Sequence, residues 1–377
     1  MAGIYIHIPY CKQACHYCDF HFSVKQETKD AFINSLLKEI SVQKEYLQSE
    51  DVETIYFGGG TPSLLSDSEL NKIFEALEKN FSIKADAEMT YEANPDDLKE
   101  EKISSLRNSP VNRLSIGIQS FFEKDLRWMN RTHNATQALT CVKRAQDEGF
   151  SNITIDLIYG LPDSTNDEWE ENLEKAFELN VQHLSCYCLT VEPRTALAHF
   201  IADGKSKPPD EEQAAQQFEI LMKKMKEHDW IHYEISNFAS SEKFISQHNR
   251  AYWERKKYLG LGPSAHSFNG TSRQWNVANN YQYIEAISRG VVPFEKEELN
   301  EVQKVNEQIM TRLRTIWGLP LSIFNFQFSN LLREKSKPFV EEKFLKWQND
   351  SLILTDRGKL IADKIILDLM FDVKESL

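Results

Sequence analysis

The chain has 377 residues, of which 41% are hydrophobic and 27% charged, as in an ordinary folded protein with one large domain and a smaller one. Its formal net charge of −13 argues against a nucleic-acid-binding surface over much of the protein. No apolar run has the length of a membrane span, and the N-terminus lacks the features of a secretory signal. We therefore expect a cytoplasmic protein that binds no nucleic acid, has no membrane span and keeps its six cysteines as thiols or metal ligands.

Three of these cysteines, Cys11, Cys15 and Cys18, lie in one C-x3-C-x2-C run directly after a strand-like segment. A structural zinc site usually has four ligands in two separate pairs, and a thioredoxin-like site has a single C-x-x-C. Three thiolates in one loop can instead hold three irons of a [4Fe–4S] cluster, which leaves the fourth iron open to a non-protein ligand. The spacing therefore predicts a cluster held by these three cysteines, which Tyr17, between two of them, and Phe20, just after the third, are expected to shield from water.

The other three cysteines do not continue this spacing. Cys141 falls in a helical pattern, where a small buried residue is the simplest interpretation. Cys186 and Cys188 stand two residues apart in a strand-like segment and therefore share one face of the strand. We interpret this pair as packing in the wall of a sheet rather than as metal ligands.

Strand and helix patterns alternate along the first half of the chain. The predicted strands are 4–8, 53–57, 88–92, 112–118, 152–158 and 181–189. The predicted helices are 29–47, 66–79, 99–108, 136–148 and 167–178. The helix that follows Ser66 begins with a capping box formed by Ser66 and Glu69. Alternation with short connections predicts an α/β fold with a parallel sheet.

The positions of the unusual residues favour a barrel over a doubly wound sheet. The cysteine run, the glycine-rich loop at 58–61, Glu92 and Gln119 each come just after a strand, and Asp156 lies within one. In a parallel barrel all these strand ends gather on one face, and that face carries the chemistry. We therefore predict a partial (β/α)6 TIM-like barrel that is open at one side.

The second half of the chain departs from this alternation. A linker at 205–210 leads to a predicted helix at 211–228 and a strand at 230–238, after which residues 248–253 and 258–268 are interpreted as loops. Two further helices, a short hairpin and a final helix predict a winged-helix-like module, for which packing or a lid role is favoured over DNA binding because its charge is mixed. The helices of this module are predicted at 301–317 and 337–349. The predicted domains are 1–205, the partial barrel; 206–299, which completes the barrel; and 300–377, the winged-helix-like domain.

The cysteine run, the barrel pattern and the glycine-rich loop together resemble the radical S-adenosylmethionine (SAM) superfamily. The finer resemblance, which covers nearly the whole chain, is to the branch of the oxygen-independent coproporphyrinogen III oxidases. It implies that SAM chelates the open iron and that one electron from the cluster, supplied by a donor such as flavodoxin or ferredoxin, cleaves SAM to a 5′-deoxyadenosyl radical. The matching segments are residues 5–9, 58–62, 92–95, 115–121 and 155–162.

The resemblance also implies which residues line the SAM region, although it assigns no catalytic residue. Glu92 and Asp156 can bind ribose hydroxyls, and Arg131 can hold a carboxylate. For each carboxylate alone, a solvated strand end or a helix cap is the commoner explanation. The SAM-lining residues carried over by position are Tyr5, Tyr17, Gly59, Gly60, Thr61, Glu92, Gln119, Arg131 and Asp156.

Two features separate the chain from the oxidases of this branch and resemble its haem chaperone sub-family. The oxidases have a fourth cysteine two residues past the third, where this chain has Phe20. Their cysteine run also follows a sizeable N-terminal segment, whereas Cys11 lies near the start of this chain. The chaperone sub-family in addition carries an H-N-x-x-Y-W motif, which residues 248–253 match.

The H-N-x-x-Y-W match implies that His248, Tyr252 and Trp253 bind haem, since histidine is a common axial ligand and aromatic rings pack on the macrocycle. A hydrogen-bonded histidine beside two core aromatics explains the same residues without haem. His7, Tyr252 and His266 are competing ligands for the iron.

Two functions of different classes follow. The first is a haem carrier that binds haem, the cluster and SAM and passes haem to an acceptor protein. The second is an enzyme that oxidatively decarboxylates the propionates of coproporphyrinogen III, a substrate whose carboxylates call for several Arg or Lys side chains in the pocket. Phe20 and the H-N-x-x-Y-W motif favour the first.

Overall fold

The computed structural model describes residues 2–372, in which twelve strands form one large sheet. In chain order these strands are β1 (Ala2–Ile8), β2 (Val52–Gly59), β3 (Ile83–Ala93), β4 (Arg113–Gln119), β5 (Ile153–Tyr159), β6 (His183–Cys188), β7 (Ile231–Glu234), β8 (Asn237–Ala239), β9 (Lys257–Leu261), β10 (His266–Phe268), β11 (Ser272–Asn276) and β12 (Phe294–Glu298).

The first six strands form the parallel centre of this sheet. Strands β1 to β6 lie side by side in chain order, and β9 adds to the outer side of β1, also in parallel. Beyond β9 the sheet continues as β10, β11 and β12, and beyond β6 it continues as β8 and β7, all antiparallel. The end strands β12 and β7 are not paired with each other in the described chain. The predicted α/β fold is therefore confirmed: the six parallel strands of the predicted partial barrel lie side by side in chain order, and the sheet is open between β12 and β7.

Helices connect the strands, and capping boxes at Ser66, Asn134 and Thr165 fix where three of them begin. The capping box predicted at Ser66 is thereby confirmed. The helices of this part of the chain are α1 (Lys29–Val42), α2 (Asp67–Asn80), α3 (Glu100–Arg107), α4 (Glu123–Trp128), α5 (Ala135–Asp147), α6 (Asn166–Glu178), α7 (Ala196–Ala202), α8 (Glu211–Glu227), α9 (Gln247–Trp253) and α10 (Asn280–Ser288).

The central strands are buried on both faces, which accounts for their nearly continuous apolar sequence. In β1 the even-numbered residues Ile4, Ile6 and Ile8 belong to the main hydrophobic core, together with apolar residues of the helices. The alternate residues Tyr5 and His7 line a cavity instead. The period of two in a strand thus separates a packing face from a face that is available for chemistry.

A separate hydrophobic core lies in the C-terminal part, where helices surround a three-stranded antiparallel sheet of order β13-β15-β14. This agrees with the predicted succession of helices, hairpin and final helix. The elements are α11 (Glu301–Arg312), β13 (Leu319–Pro320), α12 (Phe326–Glu341), β14 (Leu345–Gln348), β15 (Ser351–Leu354), α13 (Asp356–Lys359) and α14 (Ala362–Leu369).

The interpretation of residues 248–253 and 258–268 as loops is wrong for most of both segments, because they contain the helix α9 and parts of the strands β9 and β10; residues 262–265 do form a connection. Gly262 lies in this connection with a φ of +96°, whereas Gly260 lies within β9. A Cβ on Gly260 would lie 2.1 Å from the carbonyl oxygen of His266, so glycine is required here for two strands to approach each other.

Two other segment predictions also differ from the structure. The strand predicted at 230–238 is a hairpin of β7 and β8, in which Glu234 pairs with Asn237 across a two-residue turn. The helix predicted at 337–349 instead begins at Phe326, after the cap Asn325, and ends at Glu341. The short helices α4 and α7 were not predicted. No helix within residues 2–372 combines the length and the apolar character needed to cross a membrane.

Candidate functional site

Two adjoining cavities open at the carboxyl ends of the parallel strands. The first, about 640 Å³, is lined by the three cysteines of the predicted cluster and by residues of β2 to β6, and we call it the cysteine cavity. The second, about 680 Å³, is lined by His7, His21, His248 and His266 among others, and we call it the histidine cavity. The residues that line both are Asp19, Phe20, Tyr56, Gly59, Glu92 and Asn249.

The cysteine loop is closed at its base by backbone hydrogen bonds. Cys11 N–H donates to the carbonyl of Ser23 at 3.0 Å, and Ser23 N–H donates to the carbonyl of Pro9 at 2.9 Å. The sulfurs also have polar neighbours, since the Thr61 hydroxyl lies 3.4 Å from Cys11 Sγ and Arg131 Nη1 lies 3.4 Å from Cys15 Sγ. Donors of this kind stabilise thiolates, which are the form of cysteine that binds metal.

The three thiols of the cysteine loop all line the cysteine cavity. Within residues 2–372, no group of three His, Cys, Asp or Glu side chains is arranged to hold a single metal ion. Burial raises the pKa of Cys11 to about 11 and that of Cys18 to about 12, so each thiol releases a proton when it binds metal.

The glycine-rich loop brings the end of β2 against the cysteine loop. Gly60 N–H donates to the carbonyl of Ile8 at 2.9 Å, and a Cβ on Gly60 would lie 2.7 Å from the carbonyl oxygen of Tyr10. Gly59 has a φ of +105°, and a Cβ there would lie 2.4 Å from His7 Nδ1. Gly60 is therefore required by the close approach of the Tyr10 backbone, and Gly59 by its positive φ and by the His7 ring, in addition to any contact with a ligand.

Two carboxyl groups face the cysteine cavity. Glu92 Oε1 accepts a hydrogen bond from the Tyr56 hydroxyl at 2.7 Å. Burial is the main reason why the pKa of Glu92 rises to about 7, and the nearby Asp156 raises it further. Burial likewise raises the pKa of Asp156 to about 6, although hydrogen bonding to Ser185 opposes the shift. Without a ligand, both groups therefore take up protons close to neutral pH.

Arg131 is the buried cation of the cysteine cavity. Its Nη2 donates to Asn94 Oδ1 at 2.7 Å and to the carbonyl of Gly117 at 2.8 Å. Its Nε is buried without a hydrogen-bond partner among the described residues, so one donor remains for a ligand. The neighbouring Gln119 ends β4 with a φ of +68°, which turns the chain out of the sheet at the cavity wall.

The structure brings most of the predicted SAM residues together in the cysteine cavity. Tyr5 is the exception, because it lines the histidine cavity, where its hydroxyl lies 3.2 Å from His7 Nδ1. The predicted residues that line the cysteine cavity are Tyr17, Gly59, Gly60, Thr61, Glu92, Gln119, Arg131 and Asp156.

Sequence reasoning missed several residues that line the same cavity. Ser115 and Gly117 precede Gln119 at intervals of two in β4, so strand alternation could have identified them. Tyr187 follows Ser185 in β6 at the same interval. Asn94 and Asn249 fall in the segments 92–95 and 248–253 that carry the family resemblance, although neither was assigned to the SAM region.

Two interpretations near the cysteine cavity need correction. Phe20 was expected to shield the cluster, but its side chain is 66% exposed and stands where the two cavities meet. Cys186 is buried in the main core, as expected for a packing residue, whereas Cys188 is exposed and lines the cysteine cavity. Cys188 lies at the last position of β6, where the wall of the sheet ends. Cys141 is buried in α5, as predicted.

His248 is fixed at the start of α9, in the wall of the histidine cavity. Its Nδ1 lies 2.7 Å from the Thr54 hydroxyl and its Nε2 lies 2.9 Å from the Tyr252 hydroxyl. The ring also stacks on Tyr56 with centroids 5.0 Å apart. Burial lowers the pKa of His248 to about 3, so the imidazole is neutral. The buried carboxylate of Glu88 holds this helix start by accepting hydrogen bonds from the backbone of residues 247 and 248, each at 3.0 Å.

The rest of the histidine cavity combines aromatic and cationic side chains. Trp253, from the H-N-x-x-Y-W segment, has a buried indole N–H that no described residue accepts. Two arginines of the cavity wall, Arg255 and Arg273, both pair with Glu307 of α11, the first at 2.5 Å. The C-terminal part of the chain therefore supplies one wall of this cavity, and carboxylates are the groups that its cations bind.

Comparisons with known proteins agree with this architecture. Residues 5–176 match the radical SAM superfamily. The fold is similar to that of coproporphyrinogen III oxidase (HemN) from Escherichia coli, a radical SAM enzyme, with a TM-score of 0.85 and 23% sequence identity. The superposition covers 98% of this chain and 90% of that one. This likeness establishes the fold alone.

Proteins of similar sequence extend over nearly the full chain. The heme chaperone HemW of Bacillus subtilis (strain 168) is 34% identical over 97% of this chain and 98% of that protein. HemW of Escherichia coli (strain K12) is 31% identical over 97% of each chain. The mouse protein radical S-adenosyl methionine domain-containing protein 1, mitochondrial, is 34% identical over 70% of this chain and 60% of its own. The chain therefore belongs to the radical SAM superfamily and, within it, to the family of the heme chaperone HemW.

Proposed function

We propose that this protein is a haem chaperone, which binds haem in the histidine cavity and passes it to an acceptor protein. The observation that carries the proposal is the second cavity itself, which adjoins the cysteine cavity and has a volume of about 680 Å³. Cofactor pockets of this size are mostly apolar and contain a few placed polar groups. The names of the full-length relatives support haem as the cargo.

We propose that Cys11, Cys15 and Cys18 hold a [4Fe–4S] cluster and that SAM lies beside it in the cysteine cavity, as membership of the superfamily implies. When bound, this pair supplies one-electron chemistry at the sulfonium of SAM. The chain's own residues position the ligand: the Arg131 Nε donor suits a carboxylate, and the Glu92 and Asp156 carboxyl groups suit hydroxyl groups. Their proximity to a cation-bearing ligand would also favour the ionised form of both acids.

Haem meets three kinds of partner in the histidine cavity. Aromatic side chains, among them Trp253, offer faces for the macrocycle. The unpaired indole N–H of Trp253, together with Arg255 and Arg273, suits the propionates. Histidines of the cavity wall offer nitrogen ligands for the iron. This division of roles rests on residues from β1, α9 and β9 to β11, and on α11 of the C-terminal part.

The experiment is a titration of the anaerobically reconstituted full chain with haemin, followed by absorption in the Soret region. Saturable binding at one haem per chain is expected, and gel filtration with an apo-acceptor should show haem leaving the chaperone. Weak, non-saturable binding would contradict the proposal. The triple variant in which Cys11, Cys15 and Cys18 become Ala separates the cluster's contribution from that of the cavity.

The alternative, an oxygen-independent coproporphyrinogen III oxidase, shares the fold. Its product can be tested directly by incubating coproporphyrinogen III with the reconstituted protein, SAM and a reductant without oxygen. We expect no protoporphyrinogen and no rescue of a strain that lacks the porphyrin oxidase. Formation of protoporphyrinogen would establish the oxidase and refute a role confined to haem transfer.

A further inference from the structure

The histidine of the H-N-x-x-Y-W motif is poorly placed to bind iron. Both ring nitrogens of His248 are occupied within the protein, Nδ1 at 2.7 Å from the Thr54 hydroxyl and Nε2 at 2.9 Å from the Tyr252 hydroxyl. The side chain is also stacked on Tyr56 and buried, with 2% exposure. An iron ligand must present a free nitrogen lone pair, so His248 would have to break a buried hydrogen bond to bind haem.

The other histidines of the cavity wall are not equivalent. His7 is held at both nitrogens, by the Tyr5 hydroxyl at 3.2 Å and by the carbonyl of residue 21 at 2.8 Å. His21 is held at Nε2 by Asn280 at 2.7 Å. His266 differs from all of these, because no hydrogen bond from the described part of the chain reaches either of its ring nitrogens, and its side chain is exposed to the cavity.

We infer that His266 is the histidine that ligates haem iron, and that His248 shapes the cavity wall without binding the metal. The inference rests on the proposed function, since it presumes that haem enters the histidine cavity. His266 begins the rigid strand β10, and its ring lies over Trp275 of β11 with centroids 6.0 Å apart, so its direction is fixed by the sheet. A ligand on a strand is held more precisely than one on a loop.

The surroundings of His266 suit the remainder of a haem molecule. Phe268 lies two residues further along the same strand, hence on the same face, and it also lines the cavity. Arg273 of β11 lies directly opposite Phe268 in the sheet, at a position where its cation could meet a propionate. Burial and Arg273 also lower the pKa of His266, which keeps the imidazole neutral and able to donate a lone pair to iron at neutral pH.

The inference is tested on the reconstituted full chain by haemin titration with absorption and magnetic circular dichroism, which report the axial ligand. The variants are His266→Ala, His266→Cys and His248→Ala, with His199→Ala as a control at an exposed position of α7. His266→Ala should weaken haem binding at least about tenfold and remove the histidine-ligated spectrum. His266→Cys should convert this spectrum to one of thiolate ligation.

His248→Ala and His199→Ala should keep the histidine-ligated spectrum. The inference is overturned if His266→Ala keeps that spectrum, or if His266→Cys binds haem without thiolate character. Loss of the spectrum in His248→Ala, with retention in His266→Ala, would assign the iron to the motif histidine. Failure of the unaltered protein to bind haem would refute the proposed function itself, which is a distinct result. Circular dichroism in the far ultraviolet confirms that each variant is folded.

Discussion

Glu92 and Asp156 are two acids of one cavity whose protonation the fold has shifted towards neutral pH. Their pKa values rise to about 7 and about 6, from ordinary values of 4.5 and 3.8, chiefly because of burial. At pH values between the ordinary and the raised pKa of each group, the folded, ligand-free protein binds more protons than the unfolded chain. Its free energy of unfolding therefore falls as pH rises through this range. A ligand that needs ionised carboxylates shows the opposite dependence, since it must first displace those protons.

We therefore predict that SAM binds more tightly as pH rises from about 5.5 to 8. The expected gain in SAM affinity is about tenfold for each pH unit below the pKa of a carboxyl group that contacts the ligand. Calorimetric titrations in two buffers of different ionisation enthalpy measure both the affinity and the protons released. Glu92→Gln should flatten the profile above pH 6. An unchanged profile in this variant would show that Glu92 does not contact the ligand.

At the level of single residues, the sequence was informative where a spacing or a strand period fixes position. The cysteine run could be recognised by its spacing, and Glu92, Gln119 and the glycine-rich loop could be placed together because a parallel sheet brings its strand ends to one edge. The set of residues expected to line the SAM region came from the family resemblance and stays a prediction. The orientation of His248 could not be predicted, because it depends on Thr54 and Tyr56 of β2. The exposure of Phe20 likewise depends on which distant elements leave room around it.

At the level of elements, the glycine-rich end of β2 sets the position of the cysteine loop. We predict that Gly60→Ala displaces this loop, because the new Cβ would meet the carbonyl oxygens of Tyr10 and Ile8 at 2.7 and 2.8 Å. The variant should retain less iron after anaerobic reconstitution, as measured by iron content and absorption of the cluster. Gly204→Ala is the control: apart from its chain neighbours no atom lies within 4 Å of its Cβ, so the substitution strains the local backbone, whose φ is +69°, without pressing on another segment. Equal iron content in both variants would contradict the prediction.

Glu88 connects β3 to the start of α9. Its carboxylate accepts from the backbone N–H groups of residues 247 and 248, and Arg113 Nε lies 3.8 Å away. We predict that Glu88→Ala lowers the free energy of unfolding by about 2–3 kcal/mol, because hydrogen bonds to a buried charged group are lost. Urea denaturation measures this change. Glu301→Gln, at the exposed first turn of α11, should change stability by less than about 0.5 kcal/mol.

A comparable loss of stability in Glu88→Ala and Glu301→Gln would mean that Glu88 acts only as a surface charge.

The start of helix α9 also shows where prediction from sequence reaches its limit. Helix α9 has only seven residues, and its one local signal is the cap Ser246, whose side chain accepts from Asn249 N–H. The carboxylate that also holds its start lies over 150 residues earlier in the chain, where no local pattern can indicate it. The parallel strands and capped helices could be predicted, because each carries its own periodicity or capping signal.

At the scale of the whole molecule, Glu307 joins the C-terminal part to the sheet. It pairs with Arg255 and with Arg273, and both arginines line the histidine cavity. We predict that Glu307→Gln destabilises the protein by at most about 3 kcal/mol, because it leaves Arg255 without its anion and leaves Arg273 with only Glu297, at 3.6 Å. Thermal unfolding measures the loss, and added haem should restore part of it if the propionates replace the missing carboxylate. Lys304→Gln, one turn earlier on α11, is the control.

If haem restores none of the lost stability, at concentrations that saturate the unaltered protein, the role of these arginines in binding propionates is contradicted.

The C-terminal part was expected to pack or to serve as a lid, and the helices and hairpin that suggested this are present. Its contribution of a carboxylate to the cavity could not be predicted, because the sequence does not state which surface of α11 meets β11.

The two cavities share the side chains of Asp19, Phe20, Tyr56, Glu92 and Asn249, together with Gly59. Binding in the two cavities is therefore thermodynamically linked. If SAM in the cysteine cavity changes the affinity for haem in the histidine cavity by some factor, haem changes the affinity for SAM by the same factor. Loading of cargo and occupancy by SAM are in that case one coupled equilibrium. Titrating haemin with and without SAM, and SAM with and without haemin, would give one coupling constant twice.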